Sequence, residues 1–260
     1  MRISSWNINS VRKRTDILSA FIKEINPDII CLQEIKVIDS LFPTDFFANF
    51  GYKYQFIRGE PSYNGVAVLS KLSLKELTPI TYIKESRHLV LELQKCIELY
   101  NFYVPAGGDI PDPKINDKFK DKLEFVDNLC KWFKDKIENK IILLGDLNIA
   151  PLENDVWSHK QLLKVVSHTP VEVEKLNNLY SSINFVDAAR KFVPESQKLY
   201  SWWSYRNRDW RKSDRGRRLD HIWVSRPLSS LIKKCFISKG FRGYDNPSDH
   251  APVTIDIELY

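Results

Sequence analysis

The feature that most constrains the fold of this chain is a series of short apolar runs spread along its whole length. Several of these runs alternate polar with apolar residues, as half-buried antiparallel strands do. The predicted strands cover residues 3–7, 29–33, 66–69, 89–93, 97–103, 141–144, 221–224 and 252–259. Strands in clusters, with occasional helices between them, predict an α/β fold in which two mainly antiparallel sheets pack face to face with helices outside. We therefore expect a four-layer α/β sandwich rather than a strictly alternating parallel fold.

Two helical patterns occur among the predicted strands. The first covers residues 17–25 and is ended by Pro27. The second is longer, and its spacing places six residues on one face: Phe119, Leu123, Val126, Cys130, Phe133 and Ile137. We expect both helices to pack against a sheet. No linker or repeat divides the 260 residues, of which 43% are hydrophobic, so we predict one domain over residues 1–260.

The formal net charge of +6 is concentrated in residues 198–218, because the rest of the chain has equal numbers of basic and acidic residues. The basic residues of this segment are Lys198, Arg206, Arg208, Arg211, Lys212, Arg215, Arg217 and Arg218. Interleaved with them are the aromatic residues Tyr200, Trp202, Trp203, Tyr205 and Trp210. This combination suits phosphates and stacking on bases or sugars. A solvated basic loop whose aromatic residues pack inward would show the same pattern, so both interpretations stay open.

The N-terminus lacks the apolar run and the cleavage site of a secretory signal. No stretch approaches the roughly 18 uninterrupted apolar residues that a membrane span needs. Four widely separated cysteines, Cys31, Cys96, Cys130 and Cys235, are interpreted as reduced residues of the core. We therefore expect a cytoplasmic protein without a membrane partner, and nothing in the sequence indicates more than a monomer.

Polar residues follow or precede several of the predicted strands directly. They occur in the segments Asn7-Ile8-Asn9, Gln33-Glu34, Gly145-Asp146-Leu147-Asn148, Asp220-His221 and Ser248-Asp249-His250. Each segment alone fits an ordinary turn, because Asp and Asn side chains bond to nearby backbone groups. Taken together, they predict a site at a sheet edge. Hard oxygen ligands favour Mg²⁺, with Mn²⁺ as an alternative, whereas the lack of a Cys or His cluster disfavours zinc.

The order of short motifs resembles the exonuclease III type of apurinic/apyrimidinic (AP) endonuclease, within the endonuclease/exonuclease/phosphatase superfamily. The motifs are WNIN, LQE, GVAVLS, NFYVPAG, GDLN, SWW, RRLDHIW and SDHAP, and they extend from Arg2 to about Pro252. The GDLN motif and the late Asp-His pair are shared across the superfamily, so they specify phosphoester hydrolysis only. The WNIN opening, the Tyr of NFYVP and the SWW segment are more diagnostic of the DNA-repair branch.

The resemblance implies which residues hold a metal and activate water. Glu34 would be the main metal ligand, supported by Asn9, with Asp249 near a second metal position. Tyr103 would contact the scissile phosphate. Asp146 would orient and deprotonate the attacking water.

The resemblance also implies a set of groups that hold phosphate oxygens: Asn7, Asn148 and His250. Asp220 would fix the tautomer and orientation of His250. Phosphodiester hydrolysis places negative charge on the phosphate oxygens and the leaving oxygen, so a cation and preorganised donors suit it. With Asp220 as neighbour, His250 should titrate above a free histidine.

Substrate selection follows from the same resemblance. An abasic sugar is already unstacked, so extruding it costs less than extruding a normal nucleotide. Trp202 and Leu219 would line a small apolar pocket that admits the bare sugar and excludes a base. Ordinary core packing is the alternative for both, and for Trp203 especially.

Further residues fall in family positions near the DNA backbone or the site: Arg12, Lys36 and Asn64. For Arg12 and Lys36, a solvated role is the alternative. Within the basic segment, Arg206 is the residue that we expect to contact double-stranded DNA. After Tyr103 the chain has Asp109 and lacks the basic residue that some relatives insert into DNA, which leaves the balance of endonuclease and exonuclease activity open.

The expected function is a metal-dependent DNA-repair phosphodiesterase that incises 5′ to an abasic site and leaves a 3′ hydroxyl. The resemblance also implies 3′-to-5′ exonuclease activity and removal of blocking groups from 3′ ends. One alternative is a superfamily phosphatase that acts on a small or lipid phosphate, against which the basic, aromatic segment weighs. Another is a non-catalytic nucleic-acid-binding protein, against which the intact carboxylates weigh.

Overall fold

The computed structural model describes residues 1–83, 86–207 and 209–259, without the side chain of Lys95. Arg208 of the basic segment therefore lies outside the described residues. No helix in the described part of the chain is long and apolar enough to cross a membrane.

The strands of the described chain include a counterpart for every predicted run. They are β1 (Arg2–Asn7), β2 (Ile29–Gln33), β3 (Tyr54–Arg58), β4 (Val66–Ser70), β5 (Lys75–Glu76), β6 (His88–Leu93), β7 (Ile97–Tyr103), β8 (Lys140–Asp146), β9 (Val186–Asp187), β10 (Trp202–Trp203), β11 (Gly216–Arg217), β12 (Asp220–Val224), β13 (Ile232–Ile237) and β14 (Val253–Ile257). No predicted run corresponds to β3, β5, β9, β10, β11 or β13. Of these, β3, β5, β9 and β13 are edge strands of the two large sheets, where partial exposure weakens the apolar signal.

Two six-stranded sheets form the centre of the molecule, with the orders β13-β14-β1-β2-β4-β3 and β5-β6-β7-β8-β12-β9. Each sheet contains one parallel pair, β1 with β2 and β7 with β8, and its other pairs are antiparallel. Strands β10 and β11 form a small separate ribbon. The prediction of two mainly antiparallel sheets is confirmed.

The helices are α1 (Thr15–Ile25), α2 (Thr44–Asn49), α3 (Asp117–Phe133), α4 (His159–Leu162), α5 (Pro170–Ser182) and α6 (Trp210–Ser213). The central core between the sheets includes Ile29, Leu99 and Ile255. A second apolar cluster joins α1 to the first sheet, and a third joins α3 and α5 to the second sheet. Helices therefore cover the sheets from outside, as the sandwich prediction requires.

Two predictions about single residues are wrong. Ile137 does not share the buried face of α3, because the helix ends at Phe133 and Ile137 lies in the following turn with 47% of its surface exposed. Cys96 is not a core residue, because it lies exposed in the turn between β6 and β7. All four cysteines are free thiols, and Cys31 and Cys235 are buried as expected.

The two parallel pairs bring their carboxyl ends to the same end of the sandwich. Asn7 pairs with Gln33 at the end of β1 and β2, and Tyr103 pairs with Asp146 at the end of β7 and β8. Gly145 allows the second pair to close, since a Cβ there would overlap the backbone of β7. Antiparallel pairing of β12 with β8 places Asp220 opposite Asp146.

Candidate active site

Asn7 connects the two sheets at this end of the sandwich. Its Nδ2 donates hydrogen bonds to Oε1 of Glu34 at 2.8 Å and to Oδ2 of Asp146 at 2.9 Å. Asn7 has no exposed surface, and Ser248 Oγ donates to its backbone carbonyl at 2.6 Å. The amide thus fixes two carboxylates from different sheets next to each other.

His250 lies between two carboxylates. Its Nδ1 is 2.8 Å from Oδ2 of Asp220, and its Nε2 is 3.7 Å from Oδ2 of Asp146. Ser201 Oγ donates to the same oxygen of Asp220 at 2.6 Å and holds that carboxylate in place. Burial disfavours the cation, but the charges of Asp220 and Asp146 outweigh it and raise the pKa of His250 to about 10. The expectation that His250 titrates above a free histidine is confirmed.

Asp146 is buried at the end of β8 and receives several hydrogen bonds. Asn148 donates its backbone N–H to Oδ1 at 2.9 Å and its Nδ2 to Oδ2 at 3.1 Å. Burial raises the pKa of Asp146 to about 7, because loss of water outweighs the charge of His250 and Asp220 adds repulsion. A carboxylate that titrates near neutral pH is matched to general-base work.

Tyr103 lies beside the same carboxylates. Burial and the negative charges of Glu34 and Asp146 raise the pKa of its hydroxyl well above the usual value. The guanidinium of Arg87 packs over the ring at 4.9 Å from the centroid. Tyr103 is therefore a protonated donor at neutral pH.

The proposed metal ligands lie in one continuous set of contacts. Nζ of Lys36 is 2.7 Å from Oε2 of Glu34 and donates to Oδ1 of Asn9 at 2.6 Å. Nδ2 of Asn9 donates to Oδ1 of Asp249 at 3.2 Å, and Trp202 Nε1 donates to the other oxygen of Asp249 at 2.9 Å. One oxygen of Glu34 and one of Asn9 thus both contact the ammonium group of Lys36.

The charge state of these groups fits a hard cation. Burial opposes ionisation of Glu34, but Lys36 and the hydrogen bond from Asn7 hold its pKa below the usual value. Within the described chain, one His/Cys/Asp/Glu cluster has ligand atoms that all lie within 4.8 Å of one another, and it consists of Glu34, Asp146 and His250. Carboxylate and amide oxygens are donors that Mg²⁺ prefers. Because a protonated His250 cannot bind a metal, the carboxylate oxygens of Glu34 and Asp146 are the remaining ligand atoms of this cluster.

Several of these residues have left-handed backbone conformations. The φ angles are 47° at Asn9, 49° at Glu34, 53° at Lys36, 43° at Asn64 and 54° at Asn148. Such angles are unfavourable for Glu and Lys, and strained residues of this kind cluster at functional sites. No sequence pattern indicated this strain.

A cleft of about 680 Å³ opens beside Glu34 and His250. Glu34, Asn148 and His250 line it, and Trp202 and Leu219 form part of its apolar wall, as expected. Trp203 is fully buried against Tyr200, so core packing is the correct interpretation for Trp203. Some aromatic residues of the basic segment therefore pack inward and others line the cleft, so each of the two interpretations holds for part of the segment.

The cleft is lined by charged as well as apolar side chains. Arg217 and Arg215 line the same cleft, and their guanidinium groups lie over Trp202 and Trp157, at 5.3 Å and 4.7 Å from the ring centroids. Arginine can cover an aromatic face while its charge stays in the cleft. Both arginines belong to the basic segment, but no sequence pattern placed them in the pocket, and none indicated Trp157.

The outer predicted residues take different positions. Arg206 is exposed and lines the cleft, as does Asp109. Arg12 is exposed and Asn64 half-buried, and neither is among the described residues that line the cleft. The carbonyl of Asn64 accepts the backbone N–H of Lys36 at 3.1 Å, so Asn64 supports the loop that presents Lys36.

Comparisons with known proteins agree with this geometry. The model of the Endonuclease/Exonuclease/phosphatase family matches residues 4–250. Exodeoxyribonuclease III of Haemophilus influenzae is 31% identical over 97% of this chain and 98% of its own. An AP endonuclease from Archaeoglobus fulgidus has a TM-score of 0.92 at 28% identity, and a 3′ phosphatase from Neisseria, bound to a product DNA hairpin, has 0.89 at 28% identity; both comparisons cover both chains completely. The chain therefore belongs to the endonuclease/exonuclease/phosphatase family.

Proposed function

We propose that this protein is a metal-dependent DNA-repair phosphodiesterase of the exonuclease III type. It incises double-stranded DNA 5′ to abasic sites and removes nucleotides and blocking groups from 3′ ends. The observation that carries the proposal is the contact of Asn7 with both Glu34 and Asp146, which joins the ends of the two sheets into one site beside the cleft. The relatives that match the whole chain are nucleases that act on DNA.

Asp146 is the general base of the proposed reaction. Its pKa of about 7 leaves it partly ionised at neutral pH and basic enough to take a proton from water. The two hydrogen bonds from Asn148 hold its orientation. The hydroxide that forms then attacks phosphorus, the bond from phosphorus to the 3′ oxygen breaks, and that oxygen takes up a proton to become a 3′ hydroxyl.

His250, Tyr103 and Asn7 stabilise the charge that develops on phosphate oxygens. Protonated His250 lines the cleft and is held from behind by Asp220. Donors that are already oriented cost no reorganisation during the reaction, and removing one of them typically costs about 10²–10³ in turnover.

The metal site consists of Glu34, supported by Asn9 and Asp249. The family is metal-dependent, and Mg²⁺, or Mn²⁺ in its place, would neutralise part of the negative charge of the phosphate group. Lys36, which now contacts Glu34 and Asn9, would have to move away from them. The proposed domain is the chain 1–260, acting as a monomer, since both sheets of one chain contribute to one site. Free cysteines are consistent with the reducing cytoplasm as its location.

The test is cleavage of a labelled duplex that contains one abasic analogue, in Mg²⁺ or in EDTA. An intact duplex with a recessed 3′ end and an inositol polyphosphate serve as competing substrates. We expect incision 5′ to the abasic analogue in Mg²⁺ and none in EDTA, with no release of phosphate from the inositol compound. Preferential hydrolysis of the inositol compound, or binding of DNA without cleavage, would overturn the proposal.

Replacement of the main metal ligand sharpens this test. Glu34→Ala should abolish Mg²⁺-dependent cleavage, because the carboxylate of Glu34 accepts from Asn7 and shares the ammonium group of Lys36 with Asn9. Glu24→Ala on the exposed face of α1 is the matched control and should cleave like the wild type. Retained activity of Glu34→Ala would refute the metal assignment.

A further inference from the structure

Lys122 and Glu172 form an ion pair whose side chains have no exposed surface. Lys122 lies on α3 and Glu172 on α5, so the pair joins the two helices that cover the second sheet. Lys175 and Asp127 join the same two helices through another ion pair, at a partly exposed position. Since that pair bridges the helices without a fully buried charge, and burial of charge is costly, bridging alone does not explain Lys122.

The hydrogen bonds of Lys122 show what else the buried pair holds. One N–H of its Nζ donates to a carboxylate oxygen of Glu172. The other two donate to backbone carbonyls, that of Asn148 at 2.8 Å and that of Ala106 at 3.3 Å. An ammonium group has three N–H donors, so all three are used. Because Ala106 lies in the loop after β7 and Asn148 in the loop after β8, the ammonium group joins the two loops that leave this parallel pair of strands.

Asn148 is the catalytic residue that Lys122 contacts. Its backbone has a left-handed conformation with a φ angle of 54°, outside the extended and right-handed regions that most residues adopt. Its Nδ2 donates to Oδ2 of Asp146 at 3.1 Å and to the carbonyl of Val104 at 2.9 Å. Any turn of the backbone to another conformation would break the hydrogen bond from Lys122 to the carbonyl of Asn148. Lys122 therefore fixes the side chain that orients the general base.

Glu172 contacts the loop that forms part of the cleft wall. Its two carboxylate oxygens accept the backbone N–H of Ser167, each at 2.9 Å. The carbonyl of Ser167 accepts the backbone N–H of Ala150 at 2.8 Å, and its Oγ accepts Nη1 of Arg217 at 2.7 Å. Ser167 and Arg217 both line the cleft. The buried pair thus connects the loop of Asn148 with the cleft wall through an unbroken set of hydrogen bonds.

We propose that Lys122 and Glu172 are positioning residues, which hold the loop of Asn148 at a fixed place against the cleft wall. This inference rests on the proposed function and adds to it two residues that act from inside the protein, since neither side chain has exposed surface. A displacement of about 1 Å in a catalytic group can lower turnover about 10²-fold. Loss of the pair should therefore lower kcat, and it should leave KM for DNA unchanged because neither residue contacts the substrate.

The test replaces both charges at once, so that neither is left unpaired in the core. Lys122→Met with Glu172→Gln keeps the shape of both side chains, and neutral replacement of a buried ion pair often costs little stability. We expect kcat on the abasic duplex to fall by at least about tenfold with an unchanged KM. The control Lys175→Met removes the other ion pair between the same helices and should leave kcat unchanged. An unchanged kcat of the double variant, or a change in KM alone, would overturn the inference.

A double-mutant cycle separates positioning from a general loss of stability. The same pair of changes is made in the Asn148→Ala variant. Because the side chain that Lys122 positions is already absent there, the changes should lower kcat by at most about threefold. The same tenfold factor in both backgrounds would show that the pair does not act through Asn148, and the inference would fail.

Single changes keep the inference testable if the double variant does not fold. Lys122→Arg keeps a cation beside Glu172 and has donors for both carbonyls, whereas the shorter side chain of Lys122→Gln has one nitrogen. Per folded molecule, kcat of Lys122→Arg should exceed that of Lys122→Gln by at least about tenfold. Equal rates would overturn the positioning role and leave the proposed nuclease intact. Failure of the wild type to cleave any DNA would instead overturn the proposed function, and this inference with it.

Discussion

Two groups of buried charged side chains lie close together in this molecule and behave in opposite ways. The catalytic cluster consists of Glu34, Asp146, Asp220 and His250, and the arginine network consists of Arg190, Arg218, Asp155 and Asp187. In the network every charge meets an opposite charge, and arginine holds the pKa of Asp155 below its usual value despite burial. In the cluster Glu34 pairs with Lys36, but Asp146 and Asp220 share one histidine, and burial raises the pKa of Asp146 to about 7. Matched charges fix the fold, whereas the unmatched carboxylate is left able to exchange a proton.

The largest effect is expected from one isosteric change in the catalytic cluster. Asp146→Asn removes the base and keeps the shape of the side chain, so turnover should fall by at least about 10³. Because the cluster holds an excess of carboxylates, the melting temperature should stay the same or rise. Single-turnover cleavage and thermal unfolding measure the two quantities. A rate within tenfold of the wild type would remove Asp146 from the mechanism.

The same change in the arginine network should have the opposite result. Asp155→Asn leaves Arg218 and Arg190 without their shared carboxylate, and breaking a buried pair in this way costs about 3–5 kcal/mol. The melting temperature should fall by about 10 °C. Turnover of the molecules that remain folded should change little, since Asp155 does not line the cleft. An unchanged melting temperature would show that the network contributes no stability, and the comparison of the two groups would fail.

The buried residues His221 and His250 extend the comparison to the pH dependence of stability. Burial and the charge of Arg218 lower the pKa of His221 to about 4, the reverse of His250. Between pH 6.5 and 4 the unfolded chain binds a proton at this residue and the folded chain does not, so stability falls as pH falls. In His221→Gln, the loss in the free energy of unfolding between pH 6.5 and 4 should be smaller by up to about 3 kcal/mol. Denaturant unfolding of both proteins across that pH range is the measurement, and parallel curves would show that His221 does not contribute.

The strands that were predictable from the sequence are those with both faces buried. Strands β1, β2 and β8 are buried along almost their whole length and were found. Strand β13 alternates irregularly between buried and exposed residues and contains a register shift, so it carries no strand periodicity. The end of α3 was placed too late because Ile137 continues the helical spacing by chance.

The site was predictable where its residues end a strand, as Asn7 and Asp146 do, or directly follow one, as Glu34 does. The contact of Ser201 with Asp220 and that of Lys36 with Asn9 join distant parts of the chain, so no local pattern shows them. Arg217 and Arg218 are the clearest case. Successive side chains of extended backbone point to opposite sides, so one arginine enters the network and its neighbour enters the cleft. Residue type and spacing alone do not indicate which of the two arginines joins the network and which lines the cleft.

The smallest expected effect concerns exposed charge, which belongs to neither buried group. Arg206 and Arg211 are exposed, and Arg206 lines the cleft, so both should contact DNA phosphates without fixing the fold. Changing both to Gln should reduce the slope of log affinity against log salt by about 2, since each phosphate contact contributes about 0.9. The control Lys23→Gln with Arg226→Gln removes the same charge at exposed positions elsewhere and should leave the slope unchanged. If the two double variants have the same slope, net charge alone accounts for the salt dependence of binding. The basic segment would then face away from DNA.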